Sequence, residues 1–221
     1  MTNEDEQKIT EKLEKKIKEN EIQAIQTTPS VMKFHLDNIK NKENLKSLKY
    51  VMLAGEPLPK TLVDNLKQAI PGVTVYNGYG PSETTIFSTT KDVTNLEKVT
   101  IGRPIANTQI YILNKNKKLL PQGNVGEMYI AGDGVGKGYM NKKEQTERSF
   151  TKNPFIENSI MYKSGDLGSF DENGEITCYG RVDNQVKING LRIELGEIEE
   201  NINKFKKDNL LKCAVIVKTV D

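Results

Sequence analysis

The sequence predicts an α/β chain: a partial parallel sheet with helices, then a β-rich antiparallel stretch, then a hairpin and a helix. Three observations carry this. Tyr50 to Ala54 is a short continuous apolar run ended by Gly55. Leu58, Leu62, Leu66 and Ile70 then recur every four residues before Pro71-Gly72, and Val73 to Tyr76 follows. Strand, helix, strand is the unit of a parallel sheet, and continuous apolar strands fit a sheet covered on both faces. From about residue 99 the pattern changes to short β-type runs separated by turn residues, the signature of an antiparallel region. Near the end, Val186-Lys187-Ile188 and Leu191-Arg192-Ile193 flank Asn189-Gly190, a two-residue hairpin signal.

In chain order, Ile9, Leu13 and Ile17 stand four apart among lysines and glutamates, which predicts a surface helix over residues 1–21 with one narrow apolar stripe. Thr28-Pro29 starts a second helix, with a hydroxyl cap and proline at the first turn, leading into Val31, Phe34 and Leu36. The α/β part runs over 22–98 and the β-rich part over 99–182. In the latter, strands are expected at Ile110 to Leu113, Glu127 to Ala131, Met161 to Lys163, Leu167 to Phe170 and Ile176 to Tyr179. Asn114-Lys115-Asn116 and Asp171 to Gly174 supply turns. The last part, 183–221, holds the hairpin, a helix through Ile198, Ile202 and Phe205, and a final strand from Cys213 to Val217.

Composition narrows the function classes. The 221 residues hold 32 basic and 30 acidic side chains for a net charge of +2. Because the two signs are interspersed, no field favours nucleic acid or an anionic membrane. No apolar run reaches the roughly 20 residues of a membrane span, and the start, Asn3-Glu4-Asp5-Glu6, is no secretory leader, so the expected location is cytoplasmic. Cys178 and Cys213, with no close Cys or His partner, are expected to be small core residues. His35, the single histidine, sits beside Phe34 and Leu36 on a predicted helix and is read as structural, so no His-based triad can be built.

The residues that carry chemistry are Asn77-Gly78-Tyr79-Gly80-Pro81-Ser82-Glu83, Ser164-Gly165-Asp166 and the run from Gly180 to Glu197. A tight Gly-Tyr-Gly-Pro turn after a parallel strand presents N–H groups and a hydroxyl to a phosphate, and a neighbouring carboxylate can hold magnesium. Each piece has a plainer reading. Ser82 and Glu83 could cap a helix, Asp166 could close a turn, Arg181 and Asp183 could form a surface ion pair, and Asn189-Gly190 could be only a hairpin turn. The glycines from Gly132 to Gly138 fit neither the dinucleotide fingerprint nor the Walker loop, since glycine follows Lys137, and are read as places of close backbone approach.

The ordered set resembles the adenylate-forming superfamily, and within it the amino-acid adenylation domains of nonribosomal peptide synthetases. The likeness runs from about Ile22 to the end. It is carried by Met52 to Leu58, Asn77 to Thr85, Ile101 to Pro104, Gly126 to Gly132, Gly134 to Tyr139, Tyr162 to Leu167, Gly180 to Lys187 and Gly190 to Glu199. The resemblance implies a barrel-like middle subdomain and, from 183, the first βα part of a small mobile domain. It implies activation of an amino acid by ATP to an aminoacyl-AMP, then transfer to a phosphopantetheine thiol on a carrier-protein domain, with ATP and Mg2+ required. By the same likeness Ser82, Glu83 and Lys187 have catalytic roles. Asn77 and Tyr79 touch adenine, Ser82 a phosphate oxygen, Glu83 the magnesium, Asp166 the ribose hydroxyls, and Arg181 the ribose and phosphate. Asp183 matches a hinge, and Lys187 and Gly190 the segment that serves thiol transfer. Met52, Ala54, Gly78, Ile86 and Phe87 match the acyl pocket, an apolar lining that suits a hydrophobic side chain.

Departures from the family pattern set further expectations. The Ser/Thr/Gly-rich phosphate loop ending in Pro-Lys-Gly is not in these 221 residues, nor is the late lysine that contacts the substrate carboxylate. The chain therefore reads as truncated at both ends, with weak or no adenylation alone, and a separate chain could supply the loop. Ser82 stands where the family has Thr, and Lys163 and Ser164 where it more often has Arg and Thr. Alternatives are an acyl-CoA or carrier-protein ligase of the same superfamily, against which Leu195-Gly196 argues, or a non-catalytic remnant or split-gene half. Missing sheet neighbours would also leave Tyr50 to Ala54 with open edges and apolar faces, which predicts poor solubility or association.

Overall fold

The computed structural model describes residues 3–182, 185–188, 191–204 and 213–217. Helix α1 (Asn3–Glu19) precedes β1 (Ala24–Thr27) and α2 (Pro29–Asn38). Next come β2 (Tyr50–Ala54), α3 (Lys60–Ala69), β3 (Thr74–Tyr79), β4 (Thr89–Asp92) and β5 (Arg103–Pro104). These five strands form one sheet in the order β1-β2-β3-β4-β5. The first three are parallel and the last two antiparallel. Helix α2 starts as the sequence predicts: Thr28 accepts a hydrogen bond from the Val31 amide, and Pro29 occupies the first turn.

Alternation along the strands decides which face is covered. Val51, Leu53 and Val75 are buried against Met32 of α2 and Leu62, Val63 and Leu66 of α3. Met52 and Ala54, on the other face of β2, are only half-buried, and Tyr50 is 48% exposed. The apolar run at 50–54 is therefore covered on one face among the described residues, not on both. Its edges also differ from expectation, because β1 and β3 pair with its two sides. The sheet ends at β1 on one side and at β5 on the other.

Helix α1 is more than a surface helix with one apolar stripe. Ile17 is fully buried in the same core as Val51, whereas Ile9 at the other end of the stripe is 41% exposed. Polar groups also fix the helix. Thr10 Oγ1 lies 3.1 Å from His35 Nδ1, and Glu14 accepts from the Lys40 amide at 3.1 Å and Asn44 Nδ2 at 2.9 Å. His35 is thus structural, as read from the sequence.

The second sheet contains β6 (Thr108–Leu113) and β7 (Gly126–Gly132). After α4 (Lys143–Ser149) it adds β8 (Phe150–Lys152), β9 (Ile160–Phe170) and β10 (Ile176–Arg181). The order is β10-β9-β7-β6, with β8 on β9. This is an open antiparallel sheet; no closed barrel forms among the described residues. Its ladder joins the first sheet at one point, where Ile101 donates to the Ile176 carbonyl (2.9 Å) and Ile176 to that of Gly102 (2.8 Å). The runs expected as separate strands at 161–163 and 167–170 are one strand, β9. Cys178, expected in the core, is exposed on β10, where the register slips between Cys178 and Gly180 and ends the regular inward alternation. Cys213 is half-buried.

Strands β11 (Gln185–Ile188) and β12 (Leu191–Glu194) pair Ile188 with Leu191, the register of a two-residue hairpin, and α5 (Leu195–Lys204) follows. Asn189, Gly190, Asp183 and Phe205 lie outside the described residues. Residues 213–217 form no strand: no described strand lies alongside to complete a ladder, and the Val215 amide instead donates to Glu199 Oε1 of α5 at 2.8 Å.

Candidate functional site

Strand β3 extends through Tyr79, with Gly78 paired to Thr90 and Tyr79 to Thr89. Asn77, Gly78 and Tyr79 are therefore strand residues, and the turn expected at 78–81 begins only at Gly80. Alternation sends Gly78 to one face of the sheet and Asn77 and Tyr79 to the other. A Cβ on Gly78 would stand 2.7 Å from the Phe87 ring and 3.4 Å from Ala54 Cβ, so glycine is needed for that ring to close on the strand. On the other face Asn77 is buried, and its Nδ2 donates to the Thr100 carbonyl at 2.8 Å. That bond fixes Asn77 as a link between the sheet and the following segment.

Asp166 owes its position to a bulge. Lys163 faces Tyr129 on β7 and Leu167 faces Glu127, so Ser164, Gly165 and Asp166 together oppose the single residue Met128. Gly165 takes φ +76° there. Ser164 Oγ donates to the Met128 carbonyl (2.7 Å) and accepts from the Asp166 amide (3.0 Å), pinning the bulge. On the other side of β9, Asp166 is paired in register with Arg181. The carboxylate then draws two partners: Tyr79 Oη donates to Oδ2 at 2.6 Å, and Arg181 Nη1 to Oδ1 at 3.2 Å. Arg181 also donates to the Ser164 carbonyl at 3.1 Å. Burial, then the charge of Asp166, push the Tyr79 phenol well above its ordinary value of 10. Tyr79 is thus a neutral donor.

Glu83 stands on the short 3-10 turn Ser82–Thr84, which has no side-chain cap. The turn exits through Thr85 and Ile86 at φ +61° and +67°, a strained geometry for β-branched residues. It is held from outside by the segment after β7. Gly136 N donates to the Glu83 carbonyl (2.8 Å), Thr85 Oγ1 to the Gly134 carbonyl (2.8 Å) and Tyr139 Oη to Glu83 Oε1 (2.6 Å). Burial, then the bond to Glu83, raise the Tyr139 phenol.

Two cavities flank these residues. One, of about 270 Å³, has Tyr139, Tyr162, Ser164, Gly165, Arg181 and Val182 in its walls. Arg181 stands in its wall; Glu83 meets the cavity through Tyr139 and Asp166 through Arg181, while neither carboxylate is itself in the wall. The other, of about 640 Å³, includes Ala54, Ile86 and Phe87 of the expected acyl pocket, together with Gly80 and Ser82. Gly78 underlies Phe87. Met52 is not in the wall. Gln26, Thr27 and Thr28 are, and sequence reasoning missed them because β1 carries no motif; the polar Gln26-Thr27 at the end of that strand, directly before the Thr28 cap of α2, was the available signal. The lining is mixed, not apolar. Lys187 lies in β11 with its side chain undescribed, and Asp183 and Gly190 lie outside the described residues.

A model of the family described as AMP-binding enzyme matches residues 1–140. Gramicidin S synthase 2 of Aneurinibacillus migulanus is 41% identical over 215 residues, covering 97% of this chain and 5% of that protein. Tyrocidine synthase 2 of Brevibacillus parabrevis is 44% identical over 167 residues, covering 75% and 5%. Among solved structures, a nonribosomal peptide synthetase protein containing adenylation and PCP domains, bound to a vinylsulfonamide inhibitor, superposes with TM-score 0.84 at 27% identity. That match covers 95% of this chain and 37% of the other. The Vibrio cholerae adenylation domain AlmE, in complex with glycyl-adenosine-5'-phosphate, superposes with TM-score 0.76 at 30% identity, covering 86% and 37%. The chain thus spans about a twentieth of the curated relatives it matches. It belongs to the AMP-binding enzyme family, among relatives that are nonribosomal peptide synthetases and their adenylation domains.

Proposed function

We propose that the chain is the nucleotide-side part of an amino-acid adenylation domain of peptide synthesis, working in the cytosol. In the full reaction an amino-acid carboxylate attacks the α-phosphorus of ATP, pyrophosphate leaves, and a carrier's phosphopantetheine thiol takes the acyl group and releases AMP. Asp166 binds the ribose hydroxyls, since a carboxylate offers acceptors to both. Arg181 holds that carboxylate and contributes its fork-shaped charge to the ribose and phosphate. Tyr79 borders adenine, with Asn77 tying its strand in place, and Ser82 meets a phosphate oxygen. The wall of Ala54, Phe87 and Gln26 receives the amino-acid side chain. Asp183 serves as hinge, and Lys187 and Gly190 belong to the thiol-transfer segment.

The residues present suit a magnesium ion as a phosphate-borne partner. Among the described residues no three His, Cys, Asp or Glu side chains cluster to form a cage. Glu83 offers one carboxylate beside Ser82, which fits an ion that takes one or two protein carboxylates plus phosphate oxygens. When bound, the ion neutralises phosphate charge; Glu83 orients it.

The observation that carries this reading is the shared Asp166 carboxylate, gripped by Tyr79 and Arg181 from two different sheets. Calorimetry with Mg-ATP and a non-hydrolysable aminoacyl-adenylate mimic tests it: Asp166→Ala should abolish the heat seen with the natural sequence, and no heat with the natural sequence would refute it. A second reading is that these 221 residues turn over only with a chain that supplies the Pro-Lys-Gly phosphate loop they do not contain. Pyrophosphate exchange with a panel of amino acids should be weak or nil until such a chain is added, and robust exchange without one would overturn this.

A further inference from the structure

We propose that Tyr139 is a positioning residue that fixes the Glu83 carboxylate toward nucleotide-bound magnesium, acting from a strap formed by Gly132 to Tyr139. The proposal rests on the nucleotide reading of the Ser82–Thr84 turn given above. It accounts for a glycine-rich run that no other part of that reading uses.

The Ser82–Thr84 turn cannot hold Glu83 by itself. It has three residues, no side-chain cap and an exit through two left-handed, β-branched positions. The strap supplies what is missing through two backbone clamps and one side chain. The clamps are Gly136 N to Glu83 O and Thr85 Oγ1 to Gly134 O, both 2.8 Å. A Cβ at position 134 would come 2.7 Å from the Thr84 carbonyl oxygen, and one at 136 would come 3.2 Å from that of Glu83, so the glycines permit this approach. The side chain is Tyr139, whose hydroxyl donates to Glu83 Oε1 at 2.6 Å.

Tyr139 is in turn anchored. Its amide donates to Thr146 Oγ1 at 2.8 Å on α4, and its ring meets Phe150 edge-on at 5.5 Å. Gly138 has φ +131° and its missing Cβ space is filled by the Thr146 side chain. The same ring walls the cavity that Arg181 and Gly165 share. Tyr139 therefore links the Glu83 turn to the Asp166–Arg181 side through a rigid aromatic body. A phenol that donates to one carboxylate oxygen fixes the carboxylate's rotation and directs the remaining lone pairs.

The test uses the whole 221-residue chain and Tyr139→Phe, which keeps the ring on Phe150. Hydrogen exchange without nucleotide reads the strap. The variant should exchange the amides of 82–85 and Gly136 about fivefold faster, the loss expected for one net hydrogen bond; unchanged exchange would overturn the proposal whether or not nucleotide binds. Calorimetry with ATP in magnesium and in EDTA reads the consequence. The ratio of the two affinities should fall about tenfold in Tyr139→Phe, as for a hydrogen bond to a charged group. A preserved ratio would overturn the positioning role. Absence of ATP binding by the unsubstituted chain would instead sink the nucleotide reading, with the exchange data still deciding the strap.

Discussion

Asp166 and Glu83 are both carboxylates offered to the same proposed nucleotide, yet they are held by opposite means. Asp166 sits within an eleven-residue strand, and its partner Arg181 is its register neighbour on the next strand. Glu83 sits on a three-residue turn that depends on a segment some fifty residues further along the chain. Both depend on β7: Asp166 through the ladder bulge opposite Met128, Glu83 through the strap that continues from the end of β7.

Cutting the strap at its root should have the largest effect. Gly132 has φ +119°, and a Cβ there would stand well inside van der Waals contact with the Asn107 carbonyl oxygen. Gly132→Ala is expected to lose about 4 kcal/mol in urea denaturation, since backbone must shift and the dihedral is unsuited to alanine. A loss below about 1 kcal/mol would mean the approach is not maintained.

Asp166→Ala should cost about 2 to 3 kcal/mol in the same measurement, because it removes the acceptor of Tyr79 and the carboxylate facing Arg181 in a site only 15 to 17% exposed. If the cost were no larger than that of an exposed ion pair such as Lys15–Glu19, the strand-held account would fail.

Tyr79→Phe sharpens the comparison through pH. The folded phenol titrates well above 10 and the unfolded one near 10. As pH rises past 10 the unfolded chain loses this proton first, so stability present in full below pH 10 declines above it. Tyr129, pushed up to about 12 by burial and then Glu127, adds to the same alkaline decline. Denaturation curves from pH 8 to 11 should therefore fall less steeply for Tyr79→Phe than for the natural sequence, and parallel curves would contradict the burial of this hydroxyl.

The smallest effect concerns His35, which burial holds below its ordinary 6.5. The unfolded chain takes up the proton first as pH falls, so stability present above 6.5 is lost below it. His35→Gln should remove that acid slope while altering neutral stability by about 1 kcal/mol or less. An unchanged slope would assign it elsewhere.

Much of this was legible from local pattern. The four-residue spacing gave α3, Thr28-Pro29 gave the start of α2, and Asn189-Gly190 gave the hairpin register. The ordered motifs named the family. What escaped was set by tertiary contacts. Ser164-Gly165-Asp166 reads as a break between two strands because glycine and aspartate disfavour strands, yet Ser164 Oγ closes on Met128 and keeps β9 continuous as a bulge. Glutamate at 14 reads as solvated surface until the Lys40 amide and Asn44 are seen to converge on it. Gln26 belongs to the cleft only because β1 lies beside β2 in parallel register. The Cys213 to Val217 run has strand propensity but no described neighbour to pair with.

On the proposed function, Asp166, Arg181 and Glu83 serve one nucleotide. A crystal structure of the chain with AMP and magnesium tests it most directly. Ribose hydroxyls within hydrogen-bonding distance of Asp166, and a phosphate facing Ser82 and Glu83, are the expected result. AMP bound elsewhere, with Asp166 still engaged only by Tyr79 and Arg181, would contradict it.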